Sequence, residues 1–551
     1  MGSEPTTLLK ALERAARLET GGFTVWNSRG NPTVLSISSV YQRSREVGAA
    51  LQRCGLQPGT RVGLAVNHPG DFIRGFFGIQ WAGAVPVPIA SPQNLVSASS
   101  FIELAGEILT MSRTQHLMVG DKMGAVLTRS PETAPWQIHE ISQLVADSPL
   151  QEVDIHADDL AVIQCTSGST SRPRGIRLSH RCLLANINTS VTSAVPLSQD
   201  DVVVSWLPLY HDLGLITGVL APVVCAIPSV LMTPIQFMTE PHQWLRLITQ
   251  HRGSVSWAPN QAYRYARATI QDGDLVGVDL SSWRVAGCAA EPIRPEVLYS
   301  FVRRFEPYGF RESSLVTAYG LAEFSLGATF SPPGRGLRVD RVDPGILMRD
   351  GQAMPSLRSD ALDFTGCGFP LEGHHVRIMN ESDQPLPERH VGQILLRGPS
   401  RSVGYETAAT ETLTRADEWL ATGDRGYLAD GELFVCGRNA DVLRQEHLTL
   451  GAEDLEGILA AELGESIGAL ATFQDEGGGI VMVIEVPGRP GPGHLDSIQA
   501  QVYRGTSRAG VEIATLQFVP GGTLPRTTSG KIRRHRTRQL YREGQLKFLP
   551  R

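Results

Sequence analysis

Between about residue 60 and residue 320, apolar and polar positions alternate on two scales. Short apolar runs recur: RVGLAVN (61–67), AVPVPIA (84–90), VVVSWLP (202–208), SVLMTP (229–234), GSVSWAP (253–259) and WRVAGCA (283–289). Runs of this length, rich in Val and bounded by Gly, Pro and Asp, predict buried strands. Longer amphipathic stretches lie among them and predict helices over 71–83, where Phe72, Phe76, Ile79 and Gln80 are spaced along one element, over 241–252 and over 295–305. Strand–helix alternation on this scale implies βαβ units and largely parallel sheets. Such sheets collect ligands in the loops at the carboxyl ends of their strands.

The pattern changes after residue 364. HHVRIMN (374–380), GQILLRG (392–398) and GYLADGELFVCGR (426–438) are short strands punctuated by Gly and Asp, so a small β-rich unit is predicted over about 364–440. The Asp-Gly inside the last of them is a hairpin turn signal. From 441 the α/β alternation resumes, with a helix over 452–463, a strand over 479–486 and a Pro/Gly-rich surface loop, PGRPGPGH (487–494).

Bulk properties narrow the class. A chain of 551 residues exceeds a single core, so several packed units are expected. A net charge of −6 leaves no broad basic field, so nucleic acid is not an expected partner. The seven cysteines stand singly, with no pair at metal-ligand spacing, which predicts free thiols in a cytoplasmic protein. The longest apolar run, 219–232, is too short to cross a bilayer and holds two prolines, so no integral membrane segment is expected. Only four residues are lysine (10, 122, 531 and 547) against 46 arginines, and one of the four sits in TTSGKIRRHR (527–536).

Four stretches carry candidate chemistry. QCTSGSTSRPRGIRLSH (164–180) runs a strand into small hydroxylated residues, whose backbone N–H groups and hydroxyls can wrap a polyphosphate, although a Ser/Thr-rich surface turn has the same composition. TAYGLAEFSLGA (317–328) places Tyr319 and Glu323 four apart around Gly320. ATGDRGYLADGELFVCGRNADVL (421–443) offers Asp424 and Arg438 on a β scaffold, and LPRTTSGKIRRHR (524–536) offers Lys531. Each alone has a bland reading: a core Tyr, a hairpin Asp, a surface Lys.

In this order and at these separations the four stretches resemble the adenylate-forming superfamily of acyl and aryl ligases and adenylation domains, over nearly the whole chain. SWLPLYHDLGLITGVLAP (205–222), PIQFMTEPHQWLRLITQHRGSVSWAPNQAY (234–263), AAEPIRPEVLYSFVRRFEPYGF (289–310) and TGCGFPLEGHHVRIMN (365–380) make it most similar to the fatty acyl-AMP ligases. The stretch from about 331 to 364 resembles the insertion of that branch, and is also readable as an Arg/Asp/Pro-rich surface loop.

The resemblance implies an N-terminal adenylation domain over 1–440, made of two doubly wound α/β subdomains and the β-rich one, and a small mobile α+β lid domain over 441–551. It implies ATP and Mg²⁺ as cofactors, a fatty or related hydrophobic carboxylic acid as substrate, and the phosphopantetheine thiol of an acyl carrier protein as acceptor. By position, Thr166, Ser167, Gly168, Ser169 and Thr170 would cradle phosphates. Tyr319 and Gly320, with the backbone of Ala290 and Glu291, would hold adenine, Asp424 the ribose, and Arg438 ribose or phosphate. Glu323 and Thr166 would serve Mg²⁺. His211 would stand at the mouth of the acyl pocket, or simply be a capped loop histidine, and Asp441 would be the pivot. Lys531 would bridge the acyl carboxylate and the α-phosphate, a place for a compact ammonium rather than a planar guanidinium.

Some positions depart from the family pattern. Ser171 and Arg174 replace a usual Gly and Lys of the phosphate loop, Ala289 replaces a Gly beside adenine, and Gln393 replaces a Glu. His447 stands where many relatives that use coenzyme A have Gly, which argues against transfer to free coenzyme A. An acyl-CoA ligase and a non-catalytic nucleotide-binding interaction module remain the two alternatives.

Overall fold

The computed structural model describes residues 4–28, 30–90, 98–121, 123–127, 133, 135–166, 174–407, 411–445, 448–463, 466–488, 490–491, 493–508, 510–526 and 532–550. Of the residues singled out above, Ser167, Gly168, Ser169, Thr170, Ser171, His447 and Lys531 lie outside this set.

The predicted βαβ pattern folds into two sheets. Strands Leu315–Gly320, Val285–Cys288, Val255–Ala258, Val203–Ser205, Pro228–Leu231 and Gly22–Val25 lie side by side, every neighbouring pair parallel. Antiparallel strands Gly327–Phe330 and Phe369–Pro370 extend one edge, and Thr33–Ser36 closes the other. The central strands are buried along their whole length, as parallel strands covered on both faces must be. A second, fully parallel sheet takes Val85–Pro88, Arg61–Ala65, His116–Val119 and Gln137–Glu140. Helix Pro69–Trp81 is buried on nearly all sides, with Pro69 in its first turn and His68 capping the Asp71 N–H. The mixed α/β architecture predicted from the sequence is the one observed.

The hairpin signal is also realised. Leu420–Ala429 and Glu432–Arg438 pair antiparallel about Asp430 and Gly431, both at positive φ (52° and 74°), as a tight primed turn requires. With Gly392–Arg397 and His375–Met379 they form a four-stranded sheet. Beyond residue 441, Ala469–Gln474, Ile480–Val486 and Thr515–Pro520 make a three-stranded sheet, accompanied by helices Ala452–Leu463, His494–Arg508 and Arg534–Arg542. All seven residues of Ile480–Val486 are buried.

The stretch 331–364 is more ordered than a surface loop. It contributes strands Val339–Val342 and Leu362–Thr365, paired antiparallel, and helix Pro344–Asp350, capped by Asp343. Arg335 and Arg338 from this stretch grip the fully buried Glu432 of the hairpin, Arg335 with both nitrogens at 2.9 and 2.7 Å. Met348 packs into the apolar cluster of Leu443, Leu450 and Leu455, so this stretch touches the core of the C-terminal region.

Candidate active site

The cleft forms where the carboxyl ends of the parallel strands meet the helix His180–Thr189. It encloses about 840 Å³ of space not filled by atoms, its open mouth included. Val191, Leu197, Ile216, Val255, Trp257 and Phe330 give it apolar walls. Trp257 lies across the neighbouring strand because its cross-strand partner there is Gly287, where a Cβ would sit 2.2 Å from the indole ring. At one end the lining passes to Ala289, Ala290, Tyr319, Gly320 and Asp212.

That end is where the sequence-predicted polar residues converge. Tyr319 closes the strand Leu315–Gly320, and its Oη donates to Asp424 Oδ2 at 2.7 Å. Arg438 Nε lies 3.3 Å from Asp424 Oδ1, because the two residues are directly opposed in the hairpin. Burial and the adjacent Asp424 carboxylate push the Tyr319 phenol well above its usual range, so it stays a donor. Gly320 permits the turn that follows: a Cβ there would stand 1.8 Å from the Leu326 carbonyl oxygen. Ala290 holds a positive φ of 73°, a conformation that L-residues adopt at some cost and that recurs at functional sites. The Glu291 carboxylate accepts the Gln261 N–H.

Glu323 sits on the short turn Ala322–Phe324. Its backbone carbonyl accepts from Ser402 N at 2.9 Å, and Tyr405 Oη lies 3.5 Å from its Oε1. Burial pushes the Glu323 carboxyl above its usual range, and the negative charge of Asp212 pushes the same way, against Arg438 and Arg174. The phenol of Tyr405 is pushed up to about 12, by burial and then by Glu323. A buried carboxylate that also feels the charge of a second one fits a hard divalent cation, which would relieve that charge through oxygen ligands. Among the described residues no group of three or more His, Cys, Asp or Glu gathers as a metal site, at this cleft or elsewhere.

A buried hydrogen-bond chain holds this turn. Asn186 Nδ2 donates to the Gly327 carbonyl (2.7 Å) and to Ser400 Oγ (3.0 Å), and it reaches the Phe324 carbonyl at 3.4 Å. Ser400 Oγ lies 2.6 Å from His374 Nε2, whose other nitrogen faces the Glu372 carbonyl at 2.8 Å. A carbonyl only accepts, so His374 is protonated on Nδ1 and Ser400 donates to Nε2. Ser325, at φ 64°, donates to the Ser400 carbonyl. Asn186, Ser400 and His374 were not singled out from the sequence, since none belongs to a motif whose spacing points to chemistry.

His211 caps the short helix Asp212–Leu215 without a side-chain cap bond, its ring 4.8 Å from that of Tyr210. Its neighbours Asp212 and Leu213, rather than His211, line the cleft. Asp212 is therefore a site residue that the sequence reading passed over, although it adjoins the histidine chosen there. Thr166 ends the strand Leu160–Thr166 and pairs with Arg174 across it. Asp441 lies away from the cleft and forms an ion pair with Arg534.

Comparison with known proteins identifies the family. The family model described as AMP-binding enzyme matches residues 13–406. A Caulobacter vibrioides protein named "Putative acyl-CoA synthetase" is 31% identical, over 98% of this chain and 96% of its own. The Moorena producens medium-chain-fatty-acid–[acyl-carrier-protein] ligase JamA is 30% identical, over 93% of this chain and 90% of its own. A solved structure from work on fatty acyl-adenylate ligases of E. coli and L. pneumophila superposes with a TM-score of 0.88 at 32% identity, covering 98% of both chains. The chain thus belongs to the AMP-binding enzyme family, the adenylate-forming enzymes, and within it is similar to the fatty acyl-AMP ligases.

Proposed function

We propose that this enzyme activates a fatty or related hydrophobic carboxylic acid as its acyl adenylate and then passes the acyl group to the phosphopantetheine thiol of an acyl carrier protein. The observation that carries the first half is the continuity of one cleft: apolar walls from Val191 to Phe330 run into Tyr319 and Gly320, with Asp424 and Arg438 directly behind. The similarity to JamA and to the fatty acyl-AMP ligases supports the second half.

In this reading the acid's carboxylate attacks the α-phosphorus of ATP and pyrophosphate leaves. An anion approaches a polyanion, so charge neutralisation dominates the barrier. Asp424 accepts the ribose hydroxyls, with Tyr319 and Arg438 fixing its two oxygens. Tyr319, Gly320, Ala290 and Glu291 flank the adenine, and Thr166 to Thr170 hold phosphate. Glu323, with Thr166, would hold Mg²⁺, which supplies charge compensation at the phosphates. Lys531 neutralises the carboxylate and α-phosphate together, carried in by a C-terminal domain (441–551) that pivots at Asp441 against the domain 1–440. The cysteines are all unpaired, which supports a cytoplasmic setting. Among the described residues no helix is long and apolar enough to cross a membrane.

The test is acid-dependent pyrophosphate exchange, followed by transfer to holo carrier protein or to coenzyme A. Exchange with fatty acids and acylation of the carrier are expected. Acyl-CoA formed with no carrier acylation would favour the alternative that the Caulobacter relative's name suggests. No exchange with any acid would favour a nucleotide-binding module. Lys531→Ala should cut exchange at least ~100-fold while ATP binding persists. Unchanged exchange would remove Lys531 from the reaction.

A further inference from the structure

We propose that the acyl channel is built for a fatty acid bearing a hydroxyl near its carboxyl end, bound between Asn186 Oδ1 and Ser190 Oγ. The inference rests on the adenylation reading above and names the substrate class of that same cleft.

Both residues line the cleft and both carry a buried polar atom with no hydrogen-bond partner in the protein. Asn186 is 1% exposed. Its orientation is determined, because Nδ2 faces the carbonyls of Gly327 and Phe324 and only a donor can do so. Oδ1 is thereby left as a pure acceptor. Ser190 follows four residues later, at the start of the π-helical turn Ser190–Ala194, so the two side chains share one helix face.

The unpartnered state of Ser190 is specific to it. A helical Ser or Thr ordinarily returns its hydroxyl to the carbonyl four residues back. Thr192 and Ser193 in the same turn do so, at 2.7 and 2.8 Å, and Thr217 across the channel does so at 2.6 Å. Ser190 does not, although its backbone N–H bonds to the carbonyls of Asn186 and Ile187. π-helical turns concentrate at functional sites, where the extra residue re-aims side chains. A second one, Ile216–Leu220, supplies Ile216 and Thr217 to the same cleft.

An unsubstituted methylene chain filling this space would leave an amide oxygen and a hydroxyl dry and unpaired, which is costly. A substrate hydroxyl donates to Asn186 Oδ1 and accepts from Ser190, satisfying both. Asn186 also grips the carbonyls beside the Glu323 turn, which places the pair toward the reacting end of the chain.

The experiment compares adenylate formation by the full chain with 3-hydroxydecanoic, 9-hydroxydecanoic and decanoic acids. The expected kcat/KM for the 3-hydroxy acid is at least about 10-fold above decanoic acid, because a site built to bond a hydroxyl rejects the analogue lacking it. Ser190→Ala should bring that ratio close to one. Equal use of hydroxylated and plain acids, or a preference that Ser190→Ala leaves intact, overturns the inference while the adenylation reading stands. A preference for the 9-hydroxy acid overturns the carboxyl-proximal placement. Adenylation of no acid at all overturns the underlying reading, and this inference with it.

Discussion

Replacing Arg534 with Gln should loosen the C-terminal region in a way that depends on pH. Arg534 opens the helix Arg534–Arg542, and its side chain is 10% exposed. Its Nε and Nη2 grip Glu456 at 3.2 and 2.8 Å, and Nη1 pairs with Asp441 and approaches Glu453 at 3.9 Å. Three carboxylates, Asp441 from one turn and Glu453 and Glu456 from the helix Ala452–Leu463, thus share one guanidinium. Breaking a buried pair by removing one partner costs ~3–5 kcal/mol. Here the acids are 16–25% exposed, so about 2–3 kcal/mol is expected after allowing for partial hydration. That corresponds to roughly 30–150-fold faster amide exchange in 452–463 and 534–542, at a factor of ten per 1.4 kcal/mol. Burial already pushes the Glu456 carboxyl up, and Arg534 is the main influence holding it down. Without Arg534 its folded pKa rises further above the unfolded one. An acid shifted in that direction stabilises the fold at low pH and loses the contribution as pH rises through its folded pKa. The deficit should therefore be larger at about pH 8 than at about pH 5.5, and Glu456→Gln in the same chain should restore most of it. Hydrogen exchange at the two pH values is the assay. Protection reduced less than about threefold, or equally at both pH values, would refute the reasoning.

Two further outcomes follow from the cleft and its supports. Asp212→Asn removes the negative charge that raises Glu323, so Glu323 should ionise at lower pH. The Mg²⁺ concentration that half-saturates pyrophosphate exchange should then climb less steeply as pH falls from about 7 to 5, and parallel climbs in variant and parent would contradict it. His180, 1% exposed, accepts the Leu8 N–H at its Nδ1 and is held down to about 4 by burial. Its folded pKa lies below the ordinary histidine value of 6.5, so the unfolded chain takes up the proton first. Stability from this site is intact above about pH 6.5 and is lost toward pH 4, by about 3 kcal/mol at 1.36 kcal/mol per pKa unit. His180→Gln should flatten the acid side of the unfolding midpoint measured by urea titration.

Much of the fold was legible in the chain because the relevant signals are local. A run such as Ile480–Val486 has no polar interruption except Glu485, the helix Pro295–Phe305 carries its own proline start, and Asp430–Gly431 can hardly be other than a primed turn. Strands Gly22–Val25 and Thr33–Ser36 were not read from the pattern. Four residues carry too little periodicity, and the parallel partner of Gly22–Val25, at Pro228–Leu231, lies some 200 residues away, while Thr33–Ser36 pairs with Gly22–Val25 itself. The stretch 331–364 was open between insertion and loop for the same reason: what orders it is contact with Glu432 and with the core around Leu443.

The candidate site divides along the same line. Tyr319, Glu323, Asp424 and Arg438 could be chosen from sequence because the motifs that carry them resemble, in order and separation, those of the adenylate-forming superfamily; each alone reads as a core Tyr, a turn or hairpin acid or a surface Arg. That Tyr319 would donate to Asp424, 105 residues on, is a matter of two sheets meeting. The influence of the Asp212 charge on Glu323, the chain through Asn186, Ser400 and His374, and the difference between Ser190 and its neighbours Thr192 and Ser193 are tertiary facts too. The sequence by itself determined the periods, the turns and the residue types that can hold phosphate, ribose and cation. Only the tertiary structure decided which polar atoms were satisfied inside the protein and which were left unpaired on residues that line the cleft, because hydrogen-bond partnership in a buried site depends on distances between segments that no local pattern encodes.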